Sequence, residues 1–174
     1  MLQPQACIDD SGNEPTKPHF ILAGFVASAA NWAALTKEWQ AALDETPKLD
    51  YFKMHEAARL KEQFDPSNGW TEAKRDDRLI TFTRIIRKHV GIRIHAKIKH
   101  ADFDKYIKSI PVPQRKLISD SPYVLLFTQI ILAMAVRQDL FGVTEPCDFI
   151  FDEQVGFSAE AQELCAEVGD RMKG

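Results

Sequence analysis

Hydrophobic positions recur along the chain with two different periods, and the changes between them separate predicted strands from predicted helices. Residues 5–10 predict a strand that ends in a turn, and the nearly continuous apolar run 19–27 predicts a strand buried on both faces; a turn-rich loop joins the two as an antiparallel hairpin. Strict alternation of apolar and basic residues over 92–99 predicts a strand with one buried and one exposed face. Further strands are predicted at 146–154 and, as a short piece, at Tyr51–Met54.

A helical period marks the segments between these strands. Apolar stripes predict helices over residues 28–44, 71–90, 102–108 and 122–140, and a last helix after Ser158. Strands that alternate with helices in this manner are typical of α/β proteins. The sequence therefore predicts one α/β domain over residues 1–174, with a mixed sheet flanked by helices.

Composition narrows the class of protein. The 174 residues are 45% hydrophobic, which is enough to fill one sizeable core. The longest apolar run, 123–136, is too short to cross a bilayer, and the N-terminus lacks the basic start and apolar stretch of a signal peptide. The three cysteines show no metal-binding spacing and predict reduced thiols. We therefore expect a cytoplasmic protein without a membrane partner.

The net charge of −3 conceals a strongly basic segment between Arg84 and Lys116. Clustered basic residues attract a polyanion such as nucleic acid. On the predicted strand 92–99 this segment contributes Arg93, Lys97 and Lys99, which we predict to bind nucleic acid. The alternative is that these side chains are solvated charges on the surface.

Two predicted strands end in carboxylates. Asp9 and Asp10 close the first strand before a Ser-Gly-Asn turn, and Asp152 ends the strand at 146–154. Ligands of open α/β sheets bind at strand ends, so neighbouring strands would bring Asp9 and Asp152 together. Repelling carboxylates can share Mg²⁺ or Mn²⁺, which activates water against a phosphodiester. The alternative is that the aspartates cap turns through Asx-type hydrogen bonds.

Four short motifs, taken in their order, resemble the bacterial DUF3800 family: CIDDSGN, HFILAGFVAS, YFKMHEA and FIFDEQ. The resemblance implies a ribonuclease H-like fold with an acidic metal-binding cluster and nuclease activity. It matches Asp9 to the first Asp of the family's strand-end hallmark, Asp152 to a later core strand, and Glu56 to an acidic position after the Phe-Lys-Met stretch. Asp10 stands where the family usually has Glu, and it keeps the charge. Asp9, Asp10 and Asp152 are thus the predicted ligands of Mg²⁺ or Mn²⁺.

Residues next to Glu56 supply further candidates. His55 is predicted to position an attacking water or a leaving group, with a structural hydrogen-bonding role as the alternative. Lys53 is predicted to stabilise phosphate charge, with a solvated side chain as the alternative. The predicted catalytic residues are therefore Asp9, His55, Glu56 and Asp152.

The end of the sequence departs from the family. Family members continue to a further strand and a helix that bears another Asp, so we expect a domain that lacks this C-terminal strand and helix and binds a second metal poorly. The predicted function is a metal-dependent nuclease or phosphodiesterase acting on nucleic acid. A non-catalytic nucleic-acid- or protein-binding module is the alternative, and a phosphotransferase that uses Asp9 as nucleophile is disfavoured because no Asp follows two positions later. Homo-oligomer formation is left open.

Overall fold

The strands form one mixed sheet in the computed structural model, which describes residues 3–12, 14, 16–111, 121–137 and 147–151. The strands are β1 (Pro4–Ser11), β2 (His19–Ser28), β3 (Ile92–Lys99) and β4 (Asp148–Phe151). They lie in the order β3-β2-β1-β4, with β2 antiparallel to β3 and β1 parallel to β4. The predicted α/β class with a mixed sheet is confirmed.

Helices occupy most of the segments where the helical period predicted them. They are α1 (Ala29–Asp44), α2 (Met54–Arg59), α3 (Glu72–His89), α4 (His100–Asp102, followed by a π-helical turn at Phe103–Ile107) and α5 (Pro122–Val136). No helix in the described ranges is long and apolar enough to cross a membrane. The predicted extension of α5 to residue 140, the strand end at 152–154 and the helix after Ser158 lie outside the described residues.

The chain divides into two compact units. Of the described residues, 27–91 form the helical unit, and those within 3–26, 92–111, 121–137 and 147–151 form the sheet unit. Val26 and Ile92, the sheet residues that flank the helical unit, are cross-strand partners of β2 and β3. Whether the chain is one domain, as the sequence predicts, stays a prediction.

The core of the sheet unit lies between α5 and one face of the sheet. Ile8, Leu22 and Val26 on the strands pack with Val124 and Phe127 on α5. The apolar members of the alternating strand β3 pack against the same cluster, whereas the basic members between them are exposed. The predicted half-buried strand is confirmed, because alternate side chains of a strand point to opposite faces.

Strands β1 and β2 approach each other most closely at Gly24. A Cβ atom built there would overlap the carbonyl oxygen of Cys7 and lie 2.8 Å from the Cα of Ile8. Both neighbours belong to β1, and Ile8 is only 4% exposed. The sequence therefore needs a residue without a side chain in the middle of β2.

Aromatic side chains dominate the core of the helical unit. The buried members of this core are Ala42, Leu43, Leu49, Ala57, Phe64, Trp70, Phe82 and Ile85. Trp39 on α1 stacks on Phe82 of α3 with the ring centroids 4.1 Å apart. Trp70 is 2% exposed, so its ring is a packing element and cannot stack on a ligand.

A charged side chain, Arg78 of α3, is also buried in this unit, with 5% exposure. Its Nη2 donates to the carbonyl oxygens of Glu45 at 3.1 Å and Pro47 at 3.3 Å. The guanidinium carbon lies 5.2 Å from the centroid of the Trp70 ring. Burial lowers the pKa of Arg78 and the nearby Glu45 carboxylate opposes this shift, and the group stays charged at neutral pH. Arg78 thus fixes the segment after α1 to α3.

The strand predicted at Tyr51–Met54 is wrong. The segment is irregular up to Lys53, and Met54 already begins α2. The side chain of Gln63 makes the backbone hydrogen bonds that a neighbouring strand would otherwise make. Its Oε1 accepts from the backbone N–H of Asp50, and its Nε2 donates to the carbonyl oxygen of Tyr51 at 3.2 Å. A side chain that satisfies these backbone groups removes the need for a sheet ladder.

Glu38 links α1 to the last turn of α3. It accepts a hydrogen bond from Lys88 Nζ at 2.6 Å, and His89 Nε2 lies 3.1 Å from the same oxygen. Lys88, with a smaller contribution from His89, holds the pKa of Glu38 below its ordinary value of 4.5. A carboxylate whose pKa is lower in the folded state stabilises the fold above its unfolded pKa, and this contribution disappears as pH falls through the folded pKa.

Glu38→Gln is therefore expected to lower the stability of the helical unit modestly at neutral pH. The substitution should have no effect at a pH low enough to protonate Glu38 in both the folded and the unfolded state. Urea unfolding followed by tryptophan fluorescence reports on this unit, because all three tryptophans lie within residues 27–91. The exposed Asp77 is the control, and Asp77→Asn should show no such change with pH. A Glu38→Gln effect that persists in acid would contradict the ion-pair explanation.

Candidate functional site

A groove of about 580 Å³ crosses the face of the sheet opposite α5. The side chains that face it come from all four strands: Cys7 and Asp9, Ala23 and Phe25, Arg93 and His95, and Ile150. Alternation along each strand places these residues on the face away from the buried core cluster. The groove therefore combines a carboxylate, basic groups and an apolar floor.

Asp9 supplies the carboxylate of the groove. Its side chain is exposed near the end of β1, and its Oδ1 accepts from the backbone N–H of Asp10 at 2.8 Å. This local hydrogen bond is of the kind that the turn-capping alternative predicts. Asp10 is half-buried and is not among the described residues that line the groove. The structure thus separates the environments of the two neighbouring aspartates.

The pairing of β1 with β4 bears directly on the predicted carboxylate pair. The two strands are parallel, and their register joins Cys7 to Ile150 and Ile8 to Phe151. Asp9 follows Ile8, and β4 reaches its end at Phe151. Asp152 comes next in the sequence and lies outside the described residues. The described part of the parallel ladder therefore reaches the residue that precedes a predicted ligand in each strand's sequence.

The turn after β1 is fixed by Gly12 of the DDSGN motif. Gly12 has φ of +82°, and a Cβ atom there would overlap the carbonyl oxygen of His19. Its own carbonyl oxygen lies 2.8 Å from Nε2 of His100, which donates when that nitrogen carries the proton. His19 and His100 therefore both lie against Gly12, close to the end of β1 where Asp9 is located.

Three of the basic residues predicted to bind nucleic acid lie on β3, an edge strand of the sheet in the described part of the chain. Arg93, Lys97 and Lys99 are exposed on β3, and Arg93 lines the groove. Within the described ranges, no carboxylate lies at ion-pair distance from any of the three. Their positive charge is therefore not neutralised by a described neighbour.

The remaining candidates lie at the start of α2 in the helical unit. Lys53 and His55 are exposed, and Lys53 Nζ lies 5.0 Å from the centroid of the Tyr51 ring. Glu56 is 3% exposed and accepts from the hydroxyl of Tyr51 at 3.3 Å through Oε1. Its buried Oε2 has no hydrogen-bond partner in the described part of the chain. His55 and Glu56 are neighbours in sequence but occupy different environments.

The described residues fit part of a divalent-metal site. Mg²⁺ and Mn²⁺ prefer carboxylate oxygens, and Mg²⁺ usually keeps several waters, so one exposed carboxylate such as Asp9 is a suitable ligand. No three His, Cys, Asp or Glu side chains converge on a common point among the residues that the structure describes. Asp152, the predicted partner of Asp9, lies outside these residues.

Sequence reasoning missed several residues of the groove. His95, Phe25 and Ile150 lie in the same groove as Asp9, although the sequence patterns single out none of them. Cys7 also lines the groove, and burial raises the pKa of its thiol above the ordinary value of 9.0. A thiol with a raised pKa is protonated at neutral pH and is a poor nucleophile. The strand register that joins these residues cannot be read from one strand alone.

Known proteins give no independent assignment for this groove. The interpretation of the site therefore depends on its own geometry and on the motifs of the sequence. In comparisons with protein-family models, curated proteins and solved structures, the chain matches none.

Proposed function

We propose that this protein is a divalent-metal-dependent nuclease or related phosphodiesterase with a ribonuclease H-like arrangement. The observation that carries the proposal is the parallel β1–β4 ladder, whose described part reaches the Ile8–Phe151 pair, the residues that precede Asp9 and Asp152 in the sequence. A mixed sheet in which β1 and β4 are parallel and β2 and β3 are antiparallel supports the ribonuclease H-like arrangement. The resemblance of the four motifs to the DUF3800 family points to the same activity.

Each part of the groove has a role in this proposal. Asp9 and Asp152 would hold the cation, with Asp10 as the adjacent carboxylate in the sequence, and Mg²⁺ or Mn²⁺ would supply Lewis acidity and a more acidic water when bound. Arg93 lies in the same groove as Asp9 and pairs with the charge of a phosphate. Lys97 and Lys99 extend the contact along the backbone of the nucleic acid.

Three candidate residues, Lys53, His55 and Glu56, belong to the helical unit. Glu56 is a buried carboxylate with one oxygen that lacks a described partner, so it is the group in this unit that a cation would stabilise most. His55 and Lys53 are exposed and accessible to a substrate. Their predicted roles in positioning water and phosphate stay proposals.

Isothermal titration of Mn²⁺ into the full chain tests the cation site. We expect saturable binding that Asp9→Asn weakens by about tenfold or more, the effect expected when an oxygen ligand loses its charge. Asp148→Asn is the matched control, because Asp148 is exposed at the other end of β4 and bonds to Gln3 at 2.9 Å. The control should bind Mn²⁺ as the parent does. Cleavage of labelled DNA and RNA should be lost with Asp9→Asn and kept with Asp148→Asn.

The same experiment can contradict the proposal. If the parent binds no Mn²⁺, or if Asp9→Asn and Asp148→Asn weaken binding equally, the two strand ends do not form a cation site. Circular dichroism of each variant confirms that a loss of binding does not come from unfolding.

A second candidate is a non-catalytic nucleic-acid-binding module. The specific observation in its favour is the set of exposed basic groups on β3 that have no ion-pair partner within the described chain. It predicts salt-sensitive binding of nucleic acid without metal and without cleavage. Asp9→Asn would leave such binding unchanged or strengthen it, because a negative charge leaves the groove.

A further inference from the structure

The face of the sheet that carries the groove has two neighbouring rows of side chains. The basic row consists of Arg93, His95, Lys97 and Lys99 on β3, and all four side chains are exposed. The apolar row consists of Ile21, Ala23 and Phe25 on β2. The two rows run beside each other because β3 and β2 are adjacent and antiparallel.

The strand register places the members of the two rows directly opposite each other. Arg93 pairs with Phe25, His95 with Ala23, and Lys97 with Ile21. Opposite side chains in an antiparallel pair have Cβ atoms about 5 Å apart. Each apolar side chain of the row therefore has a basic side chain as its immediate neighbour.

The spacing along the rows suits a linear polyanion. Side chains on one face of a strand repeat every two residues, which is about 6.6 Å. An extended single strand of nucleic acid presents its phosphates as a regular row of similar spacing, with the bases as a second row beside it. The basic row matches the phosphates, and the apolar row matches the faces of the bases.

The apolar floor distinguishes a single strand from a duplex. Ile150, across β1 from the apolar row, is 50% exposed, and Ala23 is also exposed. A duplex stacks its bases inside and would present phosphates to this face, so the apolar groups would stay in water. A single strand has unstacked bases that can cover Phe25, Ala23 and Ile150. Charge complementarity and apolar burial are both satisfied by the single strand.

We infer that the groove face binds single-stranded nucleic acid, with phosphates along the basic row and bases on the apolar row. This inference deepens the proposed function, because Asp9 lies in the same groove and would meet the bound strand. Binding by the two rows needs no cation. It can therefore be measured separately from catalysis.

Fluorescence anisotropy with a labelled oligothymidylate of about 12 nucleotides tests the inference, since single-strand sites on OB folds, which are also small domains, cover about 4–16 nucleotides. The full chain is titrated in EDTA with the single strand and with the same strand annealed to its complement. We expect the single strand to bind about tenfold or more tightly than the duplex. Its affinity should fall as salt rises, since each phosphate contact releases counterions.

Variants in each row separate the two kinds of contact. Lys97→Glu, in the basic row, should weaken single-strand binding by about tenfold and flatten its salt dependence. Phe25→Leu keeps the apolar volume but removes the ring, and it should weaken binding by about fivefold or more, as expected for the loss of one stacked base. Ala23→Glu, at an exposed position, would place a negative charge among the bases. We expect it to weaken single-strand binding more than Phe25→Leu does.

The charge-matched control is Lys105→Glu. Lys105 is an exposed basic residue of the sheet unit, and it lies outside both rows. It should leave binding within about twofold of the parent if the rows form the site. Equal or tighter binding of the duplex, an equal loss with Lys105→Glu, or no effect of Ala23→Glu would each overturn the inference. Single-strand binding by a parent chain that binds no Mn²⁺ would retain the inference and reject the nuclease proposal.

Discussion

Gly24→Ala is expected to lower the free energy of unfolding by about 3 kcal/mol or more, which is large for the addition of one methyl group. The new Cβ would overlap the carbonyl oxygen of Cys7 and lie 2.8 Å from the Cα and Cγ1 of Ile8. Two of these three atoms are strand backbone, which cannot rotate away as a flexible side chain would. β1 and β2 would have to separate locally, and Ile8, a core residue, would move with them.

Urea unfolding followed by far-ultraviolet circular dichroism measures this effect, and Gly91→Ala is the matched control. No atom lies within 4 Å of a Cβ built on Gly91. The control should therefore change stability little, or raise it by about 0.4–1 kcal/mol because alanine restricts the unfolded chain. A Gly24→Ala protein as stable as the Gly91→Ala protein would contradict the close approach of β1 and β2.

Arg78→Met is expected to destabilise the helical unit by about 2–4 kcal/mol. The substitution removes the donor for the carbonyl oxygens of Glu45 and Pro47 and the cation over the Trp70 ring. Methionine roughly preserves the apolar volume, so most of the loss should come from the unpaired carbonyl groups. Arg78→Lys should also destabilise, though less, because one ammonium cannot reproduce the planar fork of a guanidinium.

Tryptophan fluorescence during urea unfolding is the appropriate measurement, since Trp70 itself contacts Arg78. Arg84→Met is the control, because Arg84 is exposed on the same helix and its loss should change stability by less than about 0.5 kcal/mol. Equal stabilities of the Arg78→Met and Arg84→Met proteins would show that the buried guanidinium is not needed to hold the segment after α1.

Periodicity predicted the parts of the fold in which one face of an element is uniformly apolar. The alternation at 92–99 and the long helical stripes are of this kind, and β3, α1, α3 and α5 form where they were expected. The prediction was wrong at Tyr51–Met54, where a single side chain, Gln63, satisfies the backbone from thirteen residues away along the sequence. Apolar periodicity contains no information about such a bond.

Buried charge marks a second limit of sequence reasoning. Arg78 lies on the buried side of α3 with Phe82 and Ile85, although its residue type predicts exposure. The carbonyl oxygens of the segment after α1, the Glu45 carboxylate and the Trp70 ring make this position favourable. Glu56 is a second charged residue that is buried, although its neighbour His55 on the same short helix is exposed. Sequence identifies such residues as candidates, whereas burial and partners depend on the tertiary fold.

The candidate site was predictable to the extent that it depends on strand ends and alternation. Asp9 was located from the end of β1, and the basic side chains were assigned to one face of β3 from their spacing. The position of Phe25 opposite Arg93 was not predictable, because a shift of one residue in register would turn every side chain to the other face.

The Val26–Ile92 pair also determines the order in which this chain can fold. Residues 27–91 leave the sheet and return to it at adjacent positions of one ladder, so the helical unit is nested inside a β-hairpin. If these residues were flexible, the hairpin would carry the closure entropy of a very long loop. If the helical unit folds first, residues 27–91 are already ordered, and closing the hairpin costs less entropy. Among the described strand pairs, β1–β4 has the largest separation along the sequence, so we expect it to form last.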